Sequence, residues 1–320
     1  MHINSPDPEV VSRITKDFSQ YLLAAVFSGA PESCYDLYVT VKELPRSFTR
    51  GVIEKDAGVL INGPFSLAQP NLLIAFDVKL MQHVIVKLLR LPQFGFSVTE
   101  PEKKDAIEAE LDACRRVSEL ANVALVKCEV VEVCVQHTDD LDVAVKGKWA
   151  AIKMKRFFGS LTDLVPVPEH LIQSGFERIL DALKAMHSIS LVHMDVKSDN
   201  VFIDENGEWN LGDFGSTRPS FTKIWTYTDV LMPFVLKRNV TVIPSMDYVL
   251  LCVMIAVEMR KKTRDWKVTL CGDQQKVQIE LIKKTLTEIE NELFRRRIIE
   301  IFDEHFASVQ AHLQQNQEQL

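Results

Sequence analysis

Apolar and polar positions alternate in a way that divides the chain into a strand-rich first half and a helix-rich second half. Val10, Ile14, Phe18, Tyr21 and Leu22 recur at helical spacing, so residues 1–55 read as a leader of one or two helices. Residues 56–90 read as short strands, with apolar runs at Leu72-Leu73-Ile74-Ala75-Phe76 and His83-Val84-Ile85-Val86-Lys87 bounded by Asn and Pro. A helix is expected over 101–121, where a Pro and acidic residues precede an apolar stripe of Ile107, Leu111, Cys114 and Val117. Two further strands are expected around 129–136 and 148–155, with a turn at Thr138-Asp139-Asp140 between them.

From Gly159 onward the period becomes helical. Ile172, Phe176, Ile179, Leu180 and Leu183 form one face of a helix ending near Ser188. A turn-rich stretch with short strands then runs to about residue 240. Asp247 opens a segment that is apolar on all sides, which predicts a helix buried in the middle of a lobe. Residues 275–310 predict one or two amphipathic helices with Ile282, Leu286, Ile289 and Leu293 on one face, followed by a frayed Gln-rich tail. Strands with one helix, then mostly helices, give an α+β architecture of two unlike lobes.

Composition narrows the function classes. Apolar residues make up 47% and charged residues 25% of the 320 residues, as in an ordinary globular protein. The net charge of −7 supplies no basic footprint for nucleic acid or an anionic membrane. The longest apolar run, 249–257, is far too short to span a bilayer, and the start of the chain lacks a secretory pattern. Six cysteines at 34, 114, 128, 134, 252 and 271 form no CxxC pair and read as reduced thiols. An intracellular location, cytoplasmic or nuclear, is expected; the oligomeric state is left open.

The chemistry is concentrated in VHMDVKSDNVFIDENGEWNLGDFGS, residues 192–216. It contains His193-x-Asp195-x-Lys197-x-x-Asn200 and, thirteen residues after the Asn, Asp213-Phe214-Gly215. Asp195 is suited to orient a substrate hydroxyl and accept its proton. Asn200 and Asp213 offer hard oxygen ligands of the kind Mg²⁺ takes alongside waters and phosphate oxygens. Lys197 is a point charge for a transferring phosphoryl group. Val201–Asp204 and Trp209–Leu211 predict a hairpin across Glu205-Asn206-Gly207 that brings Asn200 and Asp213 side by side.

This stretch resembles the catalytic and metal-binding loops of eukaryotic-type protein kinases, and Lys197 is similar to the serine/threonine-directed branch. The resemblance implies a small β-rich N-lobe at 56–155 and a larger helical C-lobe at 156–310, after the 1–55 leader and before a tail at 311–320. It implies Mg²⁺-dependent transfer from ATP to a protein substrate, with Asp195 and Lys197 catalytic. It also implies a phosphate-pairing Lys87, whose partner is Glu110 in preference to Glu108 because Glu110 lies within the apolar arc. Met154, Lys155, Arg156 and Phe157 resemble the adenine-binding hinge, with Met154 at or next to the gatekeeper position. Asp247 resembles the carboxylate that bonds the catalytic-loop backbone, although helix capping would also explain an Asp there.

Four departures qualify the resemblance. No G-x-G-x-x-G precedes Lys87, and Gly63 beside Pro64 reads as a plain turn. Lys155 stands where the family often has Glu. Met194 replaces the Arg that pairs with an activation-loop phosphate, so control by that pairing is not expected. Met232-Pro233-Phe234 lacks the usual Glu, while Thr226 and Thr228 read either as peptide-binding or as plain loop hydroxyls. Two alternatives remain open: a pseudokinase acting as a nucleotide-binding or scaffold module, and a small-molecule kinase.

Overall fold

In the computed structural model, residues 34–38, 50–54, 59–66, 69–77, 82–90, 100–134, 148–163, 167–223, 231–233, 240–261 and 278–318 are described. They fall into two units, Met1–Arg115 with Lys127–Arg156 and Arg116–Val126 with Phe157–Leu320.

The first unit is built on a seven-stranded antiparallel sheet. Its strands are β1 (Cys34–Tyr38), β2 (Arg50–Glu54), β3 (Val59–Ser66), β4 (Gln69–Asp77), β5 (Gln82–Arg90), β6 (Cys128–Cys134) and β7 (Lys148–Lys155), ordered β1-β2-β6-β7-β5-β4-β3. The alternation in β5 is that of a half-buried strand: Val84 and Val86 are buried, whereas Ile85 and Lys87 are half-exposed. Helix α1 (Glu100–Glu119) buries Leu111 and Cys114 in this unit.

Two expectations change here. The described parts of the leader are strands, not helix. Val52 and Ile53 are β-branched, and β2 pairs with β6, so sheet pairing organises this segment. The helical stripe at 10–22 lies outside the described residues, as do the 138–140 turn, Thr226, Thr228 and Phe234. Gly63 and Pro64 lie inside β3, flanked by register shifts against β4, rather than at a turn. A strand interior tolerates Gly and Pro at such irregularities.

The second unit is mainly helical. Helix α2 (Glu169–Ser188) buries Ile172, Phe176, Ile179, Leu180 and Leu183. Helix α3 (Pro244–Arg260) is buried on every side along Val249–Glu258. Each fully buried aliphatic side chain there contributes roughly 1.5–3 kcal/mol. Helices α4 (Ile279–Thr287) and α5 (Glu292–Glu318) pack against α3. Short strands β8 (Gly159–Ser160), β10 (Val201–Ile203) and β11 (Trp209–Leu211) form one ladder, and β9 (Leu191–Val192) pairs with β12 (Arg218–Pro219).

The continuous stripe expected over 275–310 breaks between α4 and α5. Ile282, Leu286 and Ile289 are buried, but Leu293 is 77% exposed and Phe294 takes the core position. Asn291 resets the helical phase: its side-chain oxygen accepts the Phe294 N–H at 3.1 Å, as an N-cap does. The Gln-rich stretch is not frayed within the described residues, because α5 continues to Glu318. His312 Nε2 lies 3.0 Å from the Thr241 carbonyl, which ties that end down.

Gly175 lets α2 approach β11 closely, because a Cβ there would run into the buried Trp209 ring. On an exposed face, Gly→Ala would gain up to about 1 kcal/mol of helix propensity. At this position overpacking costs about 1–3 kcal/mol, so Gly175→Ala is expected to lower the melting temperature. Calorimetry showing an unchanged or raised melting temperature would contradict this packing.

Candidate active site

In the first unit, β5 and α1 bring Lys87 and Glu110 together. Lys87 Nζ donates to Glu110 Oε1 at 2.6 Å, and Glu110 is buried whereas Glu108 is exposed. The helical period explains the choice, since Glu110 falls on the buried arc between Ile107 and Leu111. Beside the pair, the Cys114 thiol is pushed far up, first by its hydrogen bond with Cys128 and then by burial. It is therefore a neutral core thiol rather than a nucleophile.

In the second unit, the β10–β11 hairpin closes through an Asp204 turn. The Asp204 carboxylate accepts the N–H groups of Asn206 and Glu208, both at 2.9 Å, and Gly207 takes a φ of +80°. At the open end, the Gly212 N–H donates to the Asn200 carbonyl at 2.9 Å. That bond fixes Asn200 beside the segment entering Asp213. Asn200 Nδ2 donates to the Asp195 carbonyl at 2.8 Å and to Asp195 Oδ2 at 3.0 Å, and Lys197 Nζ lies 2.7 Å from the same Oδ2. Asp195, Lys197 and Asn200 thus form one hydrogen-bonded group.

Asp213 is exposed and holds a left-handed backbone with φ +56°, an uncommon conformation for a non-glycine residue that Asp tolerates better than most. Its Oδ1 accepts from the Gly215 N–H at 3.4 Å.

Buried groups hold this loop from below. The Asp195 N–H donates to His193 Nδ1 at 3.2 Å, which leaves the ring proton on Nε2, 3.0 Å from the Gly212 carbonyl. Asp247 is fully buried on α3 and accepts the His193 N–H at 2.7 Å and the Met194 N–H at 2.8 Å. His187 Nε2 lies 2.9 Å from the same carboxylate. Capping does not explain Asp247, since the N-cap of α3 is Ile243. Met194 is buried with φ +66°, so its backbone is held in a conformation that a bulky side chain rarely takes.

The remaining candidates lie at the end of β7 and beyond it. Met154 and Lys155 close β7 opposite Ile85 and Val84, and Arg156 is exposed. Phe157 stacks on Phe202 at 5.6 Å, and the Phe158 N–H donates to the Ile203 carbonyl at 2.8 Å.

The protein kinase domain profile matches residues 102–234. The fold is similar to that of the PK-1 kinase of Cydia pomonella granulovirus, with a TM-score of 0.53 and 14% identity over 78% of this chain and 88% of that one. Residues 102–234 thus carry the signature of a protein kinase domain, and the fold is protein-kinase-like. Over 78 residues, 23% of this chain and 20% of the relative, it is 35% identical to the serine/threonine-protein kinase PknL of Mycobacterium tuberculosis. Over 72 residues, 22% of this chain and 19% of the relative, it is 36% identical to cyclin-dependent kinase-like 1 of Caenorhabditis elegans. The chain spans about a fifth of the length of these curated relatives.

Within this kinase fold, three polar residues escaped the sequence reading. His187 supports Asp247, and Ser198 and Lys261 both meet Glu258 on α3. Glu258 did leave a signal, since it is a carboxylate in a segment otherwise apolar on all sides. No helix among the described residues is long and apolar enough to cross a membrane.

Proposed function

We propose that this kinase transfers the terminal phosphoryl group of ATP to serine or threonine hydroxyls of a protein. The observation that carries this reading is the hydrogen-bonded group of Asp195, Lys197 and Asn200, with Asp213 beside it at the hairpin end. Asp195 is held at two points, so its carboxylate is oriented before a substrate arrives. It takes the proton from the attacking hydroxyl as that oxygen bonds to phosphorus and the bond to ADP breaks. Lys197 places a positive charge where negative charge develops. Lys87, fixed by Glu110, pairs with nucleotide phosphate, and the backbone over Met154–Phe157 takes the adenine.

The residues present fit a magnesium ion. Asn200 spends its Nδ2 on Asp195, which leaves Oδ1 as a hard acceptor, and Asp213 adds a carboxylate. Among the described residues no cluster of three or more His, Cys, Asp and Glu forms a metal cage. Magnesium held by one or two protein oxygens with waters and phosphates needs none. Bound there, it would neutralise charge on the phosphate oxygens.

One observation favours a second reading, a nucleotide-binding scaffold without transfer. The connection between β3 and β4 is Leu67-Ala68, so glycine is missing where close backbone approach to phosphate would use it. Phosphoamino-acid analysis after reaction with labelled Mg-ATP and a mixed protein substrate separates the readings. Phosphoserine or phosphothreonine is expected. Phosphotyrosine, or label on a metabolite alone, would overturn the substrate class. A thermal shift on Mg-ATP without transfer would favour the scaffold.

Lys87→Met tests the nucleotide half separately. Loss of a charge-assisted contact costs about 1.5–3 kcal/mol, so ATP affinity is expected to fall about 10- to 100-fold. Isothermal titration giving an unchanged affinity would remove Lys87 from the nucleotide contacts.

A further inference from the structure

Helix α3 carries Glu258, whose side chain is 1% exposed. Two groups meet its Oε1. The Ser198 hydroxyl donates to it, and Lys261 Nζ lies 2.6 Å away from the next turn. Glu258 Oε2 accepts no hydrogen bond among the described residues. Burial pushes the Glu258 carboxyl up, while Lys261 and Ser198 draw it back down.

Stability alone does not account for such a group. Taking an ion pair out of water costs several kcal/mol per ion, and a well-packed apolar replacement is often as stable or more so. The position of Ser198 suggests another role. Ser198 opens the single turn Ser198–Asn200, which begins where the Asn200 N–H donates to the Lys197 carbonyl at 2.9 Å. The loop is therefore attached to α3 at two places. Asp247 holds residues 193 and 194, and Glu258 holds residue 198. At the helical rise the two carboxylates sit roughly 16 Å apart along α3. Asp247 fixes where the loop starts but leaves the turn carrying Lys197 and Asn200 to be set from its other end.

We propose that Ser198, Glu258 and Lys261 form a second anchor that positions Lys197 and Asn200 for phosphoryl transfer, with Ser198 and Glu258 as positioning residues. This rests on the proposed kinase activity. The test uses the full chain with Ser198→Ala, Ser198→Thr and the double variant Glu258→Met with Lys261→Met. Ser198→Ala is expected to lower kcat about tenfold with KM for ATP within about twofold, because the loss falls on the transition state. Ser198→Thr keeps the hydroxyl and is expected to recover kcat to within about twofold of the native chain. Glu258→Met, made together with Lys261→Met so that no buried charge is left unpaired, is expected to lower kcat similarly while the melting temperature holds or rises, which a merely structural role would not produce. Amide hydrogen exchange at 198–203 is expected to quicken about tenfold in Ser198→Ala, with 175–186 unchanged.

Unchanged kcat in both Ser198→Ala and the double variant would overturn the anchor. So would rates that fall only with the folded fraction. If the native chain transfers no phosphate, the kinase reading fails on its own. The exchange data then decide the anchor, and unaltered exchange at 198–203 overturns it.

Discussion

Asp213→Asn is expected to abolish most phosphoryl transfer while leaving the protein folded. Asp213 is exposed, and its carboxylate accepts the Gly215 N–H at 3.4 Å. Asn keeps that acceptor and tolerates the left-handed backbone found here, so stability should change by less than about 1 kcal/mol. What Asn lacks is the negative charge. With Asp213 as one of the two proposed oxygen ligands, a neutral replacement would weaken magnesium binding and the charge neutralisation that depends on it. A loss of about 10²–10³ in rate at saturating ATP is expected, with partial recovery as magnesium is raised. Initial rates within about threefold of the native chain, at equal magnesium, would take Asp213 out of the proposed metal site.

Asp247→Ala has the largest expected effect on stability. Its carboxylate is fully buried and accepts the N–H groups of His193 and Met194, with His187 against the same oxygen. Ala leaves two buried donors without acceptors, at about 1–3 kcal/mol each. It also strands the His187 ring, and the total is on the order of 3–5 kcal/mol. For a unit of this size each kcal/mol lowers the melting temperature by about 2–4 °C, so a fall on the order of 10 °C is expected. Transfer should fall beyond the loss of folded protein, because His193 and Met194 lead directly into Asp195. Asp247→Asn offers one acceptor oxygen and should fall between the native chain and Ala. A melting temperature for Asp247→Ala within about 2 °C of the native value would contradict this role.

Much of the candidate site was legible because its parts are local. His193, Asp195, Lys197, Asn200 and Asp213 lie within one short stretch, and the hairpin between them has its own turn chemistry in Asp204 and Gly207. The resemblance called for a glutamate on that helix, and helical phase then favoured Glu110 over Glu108. Legibility failed where the answer depended on distant partners. Strands β1 and β2 owe their state to sheet pairing that the local pattern does not encode. Leu293 and Phe294 exchanged places because a cap at Asn291 interrupts the period that was assumed continuous. The Gln-rich end of α5 is held by His312 on Thr241, a contact spanning the unit. Ser198 and Glu258 meet across 60 residues of sequence, and only the isolated charge in an apolar helix hinted at the pairing.

The central claim, transfer of a phosphoryl group by the group around Asp195, is tested most directly with ATP labelled at the terminal phosphate. The native chain is incubated with magnesium and a mixed protein substrate, in parallel with Asp195→Asn and with a magnesium chelator. The account predicts label in protein from terminally labelled ATP but not from ATP labelled at the first phosphate. It also predicts loss of that label with the chelator, and a fall of about 10²–10⁴ in Asp195→Asn. Equal labelling by the native chain and Asp195→Asn, or no labelling by a native chain that melts at the same temperature with and without Mg-ATP, would contradict it.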